Sequence, residues 1–473
     1  MNLISDKYFS FLLATFICYL LTPLAKRWIV LLVASYIFYA SWNPFYIVII
    51  VAITLFNFYF AQFIASSIVD QRKYIFLALA ITFNLLALII FKYLTPLVGI
   101  SQILLPLGLS FYLLQIIGYL VDVYRKQTTP LKHLGHFALF VCFLPQILSG
   151  PIEKAATLIP QLTRPVPFCM HNLKTGLLFI ASGLLKKTVM GGALSIVVLN
   201  IFAQPSYFSG APLIIAILLA RWHIFCDFSG YTDIALGTAK IFGIHLTNNF
   251  NRPFFAKSIV EFWQRWHITL SAWIRHYVYY PLITSCFGRL GLYFNLFLSF
   301  FILGLWHGLS LNFIIYGSLN GIFIVLYDAT RVSRKNLLQK FALNQHPLAL
   351  KISSILFTFL FFVSPPTVFF CTLNIHHAID IFANLFPPFT SNFQQWMNLD
   401  AILNNPVIKI NLIKSLITIF FLECLHLFQR KIVISEWIIA RPFIIKLIIA
   451  MFIFFVLLVL GDFDSRSFIY SSF

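Results

Sequence analysis

The segment Gly304-Leu305-Trp306-His307-Gly308 sets an imidazole between two glycines inside a long apolar run, Phe294 to Leu326. An ionisable side chain at membrane depth is expensive, so its presence there argues for a function. Forty residues upstream, His267 lies in Phe262-Trp263-Gln264-Arg265-Trp266-His267-Ile268-Thr269-Leu270-Ser271, beside two tryptophans and an arginine. Burial disfavours an imidazolium and keeps such a histidine neutral, ready to accept a proton near pH 7. His307 is therefore read as a base that takes the proton from a hydroxyl attacking an acyl thioester. Its flanking glycines let a substrate or a neighbouring helix approach the backbone closely. The competing reading is a bundle histidine hydrogen-bonded to a neighbouring span. For His267 a purely interfacial role weighs as heavily as a chemical one.

The cationic stretch Arg252, Lys257, Arg265 and Arg275 has the charge to hold an anionic donor at a cytoplasmic mouth. Asp227-Phe228-Ser229-Gly230-Tyr231-Thr232-Asp233 carries two carboxylates and two hydroxyls, and a helix-starting turn with capping carboxylates is the preferred reading there. The pair His376-His377 lacks partners at ligand spacing, so no metal is assigned. The chain has no GxSxG elbow, phosphate-binding GxxxxGK[ST] loop or HExxH, and a covalent acyl-enzyme is not indicated. Seven scattered cysteines form no CxxC and read as small buried hydrophobes.

These groups need a scaffold, and the composition says which kind. Of 473 residues, 60% are hydrophobic and 10% charged, with mean hydropathy +0.90. That balance excludes an ordinary soluble protein. Apolar runs near the length of a spanning helix lie at 8–24, 44–64, 74–91, 103–121, 173–190, 290–307, 309–327, 352–371, 411–428 and 442–460, with shorter ones at 28–40, 136–150 and 208–220. An all-α integral membrane protein of about 11–12 transmembrane helices, plus re-entrant or amphipathic helices, is expected. The first run reads as a retained span, not a signal peptide. From 221 to 289 charges interrupt the apolar runs, which predicts a polar recess with irregular backbone buried in protein. Within it, Ser258 to Tyr280 reads as an amphipathic helix with Trp263, Trp266, Leu270 and Trp273 on one side and an i,i+4 pair of Glu261 and Arg265. For the tryptophans alone, an interfacial aromatic belt is the preferred reading.

The net charge of +19 fits membrane topology better than nucleic acid, because the basic residues cluster in alternate loops. Lys26-Arg27, Arg72-Lys73, Arg125-Lys126-Lys132 and Arg331-Arg334-Lys335-Lys340 are placed in the cytoplasm, with the N-terminus outside. One domain over 1–473 is the simplest division, with N-terminal helices to 220, a core bearing both histidines over 221–330, and C-terminal helices from 331. No internal repeat or soluble domain is evident.

Several ordered motifs together resemble the membrane-bound O-acyltransferases, in the bacterial branch that supports O-acylation of cell-surface polymers. They are Arg27 to Asn43, Leu105-Pro106-Leu107-Gly108-Leu109-Ser110-Phe111-Tyr112, Tyr119 to Arg125, Phe143 to Ile152, Asp227 to Asp233, Asn249-Phe250-Asn251-Arg252-Pro253-Phe254, and the two Trp-His segments. The ending Phe468 to Phe473 is similar to the family's FIYFQF terminus. Two places depart from the pattern. The family's WVFFRA-type stretch is Thr367-Val368-Phe369-Phe370-Cys371-Thr372, without the Trp or the Arg, and Leu311 replaces the second Trp of WHGASWNF.

The resemblance implies a funnel-like bundle with His307 as the essential buried histidine and His267 as the second catalytic-site residue. It implies an acyltransferase that takes an acyl group from a cytoplasmic thioester, with acetyl-CoA expected and D-alanyl transfer left open. No bound cofactor is expected. The acyl group would pass to a secreted or membrane-anchored accessory acyltransferase that finishes O-acylation of a polysaccharide, peptidoglycan or teichoic acid. Location in the bacterial cytoplasmic (inner) membrane follows from that reading, with the lipid bilayer as a partner and no nucleic acid. The alternatives are a transporter of an acyl or glycan intermediate with His307 as proton relay, and a non-catalytic scaffold for an envelope complex.

Overall fold

The computed structural model describes residues 2–94, 106–147, 150–164, 166–283, 288–341, 345–386, 396–430 and 432–463. Leu105, Leu148, Ser149, Cys286 and the terminal Phe468 to Phe473 motif lie outside the described residues. Among those described, the backbone is helical and contains no strand. Helices satisfy their own peptide groups, which a hydrocarbon surround requires. Eight are long and apolar enough to cross a membrane: Phe45–Ser66, Asp70–Leu94, Met170–Ala203, Ala211–Ile241, Gly288–His307, Leu311–Ala329, Pro347–Cys371 and Phe443–Leu460. This is the all-α, multi-pass membrane architecture that the apolar runs predict. The runs expected at 8–24, 28–40 and 103–121 form shorter helices, Asp6–Leu21, Arg27–Ala40 and Leu109–Tyr124. At a rise of about 1.5 Å per residue these fall short of a core about 30 Å thick.

The outer surface is lipid-like. Phe443–Leu460 has no buried residue, and Phe452, Phe454 and Phe455 are each more than 60% exposed. So large an apolar face is stable only against lipid or a partner.

The centre differs from the sequence expectation in two places. In the first, the short run at 208–220 does not give way to irregular chain. Ala211–Ile241 is one helix of 31 residues, buried along nearly its whole length, and Asp227 and Asp233 lie in its interior, not in a starting turn. Two lysines of the facing helix make this tolerable. Lys186 Nζ donates to Asp233 Oδ2 at 2.7 Å, and Lys187 pairs with Asp227 where both side chains are almost fully buried. Both lysines sit in a π-helical turn, Leu185–Gly191, whose extra residue per turn alters the direction of adjacent side chains. Small residues let the helices approach. A Cβ on Gly183 would lie 2.5 Å from the Gly230 carbonyl oxygen, and one on Gly237 would lie 2.5 Å from that of Gly176. Such small-residue contacts are how membrane helices pack closely.

The second correction concerns Ser258 to Tyr280, which is not one amphipathic helix. It is broken into Ile259–Arg265 and Ile268–Ile274, followed by the π-helical turn Arg275–Tyr279. Trp266 is extended and His267 is left-handed at φ +42°, an uncommon conformation for a residue with a side chain. The Asn249 to Asn251 segment stabilises the break by taking the place of helical partners. Asn251 N–H donates to Arg265 O and Ile268 N–H to Asn249 O, both at 2.9 Å. The predicted Glu261–Arg265 pair does form, at 2.7 Å. Trp263 and Trp266 are buried in protein, so these two belong to the core and not to an interfacial belt.

Gly288–His307 and Leu311–Ala329 form an antiparallel hairpin, in which a Cβ on Gly304 would lie 2.5 Å from Phe313 O. This contact fixes the turn after His307. It also puts Arg289 and Arg331 at the same end, as expected if both flank the cytoplasm. In a cysteine-free background, single cysteines near Arg72 and Arg334 should label only from the inner face, and those near Asn43 and Asn374 from the outer face. Labelling of position 374 only after the inner face is opened would contradict that topology.

Candidate active site

The fold brings His267 and His307 together from separate helices. His307 is the last residue of Gly288–His307, and His267 immediately precedes Ile268–Ile274. His267 is 2% and His307 3% exposed. The Trp306 ring lies between them, its centroid 4.9 Å from that of His307 and 6.3 Å from that of His267. Phe111 adds a wall 5.4 Å from Trp306 and 6.4 Å from His267, while Phe228 packs on His267 at 4.7 Å. On its other side His307 meets Phe370 at 5.1 Å, Tyr316 at 5.7 Å and Phe313 at 5.9 Å. Two imidazoles in an aromatic, water-poor enclosure are arranged for proton transfer.

Neither ring nitrogen of His267 has a hydrogen-bond partner among the described residues. Leaving a buried polar group unsatisfied costs on the order of 1–3 kcal/mol, a cost that a substrate group or a water at that position would remove. His267 lies outside the eight spans, and its burial holds the imidazole below the ordinary histidine range, in its neutral form.

The motifs that flank His267 brace it. Asn249 Oδ1 accepts from Thr269 Oγ1 at 2.7 Å, and Thr269 Oγ1 in turn accepts from Ile152 N–H at 3.0 Å. Gln146 Nε2 donates to Gln115 Oε1 at 2.6 Å, tying the Phe143 to Ile152 motif to Leu109–Tyr124.

Two buried cations escaped the sequence reading. Lys92 Nζ donates to Trp306 O at 2.5 Å, next to the catalytic candidate. Arg221, 2% exposed, lies over the Trp266 ring at 3.9 Å. Lys92 thus holds the residue next to His307, and Arg221 donates to Thr367 in the helix whose Phe370 packs on His307. The sequence carries a weak sign of them, since each stands directly at the end of an apolar run, 74–91 and 208–220.

The four basic residues expected to bind the donor are not all together. Arg252 and Arg265 are neighbours, with Arg265 Nη1 donating to Arg252 O at 3.5 Å, and Arg265 is also held by Glu261. Lys257 is exposed beside them, its N–H donating to Glu261 Oε2 at 2.7 Å. Arg275 instead lines a separate cavity of ≈ 320 Å³ with Trp263, Tyr279 and Asp328. A different cavity, ≈ 160 Å³, is lined by Gln115, Gly118, Glu153, Lys154, Thr247, Thr269 and Tyr277. It shares Gln115 and Ile152 with a ≈ 10 Å³ void that reaches Phe111. Phe111, Gln115 and Gly118 lie on one face of a helix, so this path points at the His267 wall.

A multi-pass helical bundle with two buried histidines converging on one tryptophan in an aromatic enclosure defines the class of integral membrane protein to which this chain is compared. The sequence model of MBOAT, the membrane-bound O-acyltransferase family, matches residues 129–373, just over half of the chain and inclusive of both histidines, and the chain belongs to that family. It is similar to a probable alginate O-acetylase AlgI of Pseudomonas putida, 32% identical over 298 residues that cover 59% of this chain and 61% of that one. It is also similar to a peptidoglycan O-acetyltransferase of Helicobacter pylori, 31% identical over 394 residues, 75% of this chain and 72% of the relative. A teichoic acid D-alanyltransferase of Bacillus subtilis is 33% identical over 173 residues, 36% of this chain and 43% of the relative. The chain spans 56 to 61% of the length of the alginate O-acetylase relatives it matches.

Proposed function

We propose that this protein is an acyltransferase of the bacterial cytoplasmic membrane that takes an acetyl group from acetyl-CoA and delivers it for O-acylation of a cell-envelope polysaccharide, peptidoglycan or teichoic acid. The observation that carries this reading is the convergence of His267 and His307 on the Trp306 ring. His307 accepts the proton of the attacking hydroxyl as its oxygen bonds to the acyl carbon. The carbon–sulfur bond then breaks, and the proton goes to the departing thiolate. A thioester needs little further help, so one placed base and exclusion of water supply most of what the step requires. The acyl group passes to a secreted or membrane-anchored accessory acyltransferase, the partner that grips the polymer. Two of the three relatives described above are named for acetyl transfer, which favours acetyl over D-alanyl.

Purified protein in detergent with labelled acetyl-CoA tests the reading. Thioester turnover supports it, whereas binding or flux without turnover would replace it with a transporter or scaffold. Arg252, Lys257, Arg265 and Arg275 are proposed to hold the donor's phosphates. Interactions made equally in ground and transition states change binding, not turnover. Neutral substitutions at these positions should raise donor KM with little loss of kcat, while His267→Ala should lower kcat with little change in KM. Unchanged KM in all four basic variants would move the donor to another face, with Lys154 at the mouth of the ≈ 160 Å³ cavity the next position to test.

A further inference from the structure

We infer that Arg221 replaces, from another helix, the guanidinium that the family's WVFFRA-type stretch carries at the position of Cys371, and that it acts as a positioning residue for the two histidines. The inference rests on the acyltransferase reading for its kinetic part only. Both departures from that stretch meet at Arg221. Its Nη1 donates to Thr367 Oγ1 at 3.3 Å, at the position where the pattern has Trp. Cys371, where the pattern has Arg, follows Thr367 by four residues in the helix Ser364–Cys371 and so stands on the same face, one turn along. A tryptophan at 367 would fill space beside the guanidinium, whereas threonine is small and offers it an acceptor. An arginine at 371 would set a second cation beside the first in a buried region, which is costly.

Arg221 also bridges the two arms of the site. Through Thr367 it holds the turn of helix that carries Phe370, whose ring packs 5.1 Å from His307 and 5.3 Å from Tyr316. Its Cζ lies 3.9 Å over Trp266, the residue before His267, and 4.7 Å over Phe262. A planar guanidinium can stack and hydrogen-bond at once, which an ammonium cannot. Arg221 thus holds the Trp266–His267 break and the Phe370 wall in one arrangement.

The test is a double-substitution cycle on the full chain in detergent, read by thermal unfolding and by acetyl-CoA turnover. Arg221→Ala should lower the melting temperature and reduce kcat by about tenfold or more, with donor KM changed far less. Cys371→Arg should be destabilising beside Arg221 but should restore both quantities in the Arg221→Ala background. Arg221→Lys should not restore them. That reversal of sign is the non-additivity expected of two residues supplying one group. Arg221→Ala with wild-type kcat would overturn the positioning role, and failure of Cys371→Arg to raise the melting temperature of Arg221→Ala would overturn the replacement. If the wild-type protein shows no turnover, the acyltransferase reading fails, and the melting cycle still decides whether one guanidinium substitutes for the other.

Discussion

Replacing His307 by alanine is expected to abolish acyl transfer while leaving a folded, inserted protein. General-base catalysis contributes about 10²–10⁴-fold, and no other described histidine lies in contact with the same Tyr316 and Phe370 walls. Removing a polar group from a dry surround does not oppose insertion. The aromatic walls do predict a secondary effect, because alanine leaves a void where the imidazole stood. His307→Gln keeps more of the volume and removes the base, so it separates the two effects. Both variants should be inactive in labelled acetyl-CoA turnover, and the glutamine form should unfold closer to the wild-type temperature. Full activity in either would remove His307 from the mechanism.

The place of the candidate site is legible in the sequence because of where its polar residues fall. A histidine between glycines in an apolar run has no inexpensive explanation, and His307 lies at the centre of the site. His267 was harder to read, since a histidine beside Trp and Arg fits a membrane interface as well as a core. What decides its place is the left-handed break at His267, and that depends on Asn249 and Asn251 bonding across from another segment. Helical periodicity carries no trace of such a long-range substitution, so an unbroken amphipathic helix was the natural expectation for 258–280.

The same limit explains Ala211–Ile241. Read alone, Asp227 and Asp233 interrupt an apolar run and argue against a buried helix. Their partners, Lys186 and Lys187, lie 47 and 40 residues away on another helix, and only tertiary contact shows that the charges cancel. Arg221 and Lys92 do not stand out in the sequence for a related reason. Each is one cation at the edge of an apolar run in a chain with 33 Lys and Arg, an excess for which membrane topology already gives a reason.

The buried Lys187–Asp227 pair supports the second large prediction. Both side chains are at most 6% exposed, and a charge left alone in such a place costs far more than the pair contributes. Asp227→Ala and Lys187→Met should each destabilise the protein by about 3–5 kcal/mol, as breaking one side of a buried pair does. Combining an apolar residue at 227 with Lys187→Met removes both charges and should recover much of the loss, since apolar replacements of buried pairs are often neutral or better. Thermal unfolding of the four proteins in one detergent measures the coupling directly. Phe228, next to Asp227, packs on the His267 ring at 4.7 Å. Single variants that still fold should therefore lose turnover through displaced His267, and the double variant should regain part of it. Additive losses of stability in the double variant would mean that the two residues act independently, and that Asp227 holds the helix by a contact other than Lys187.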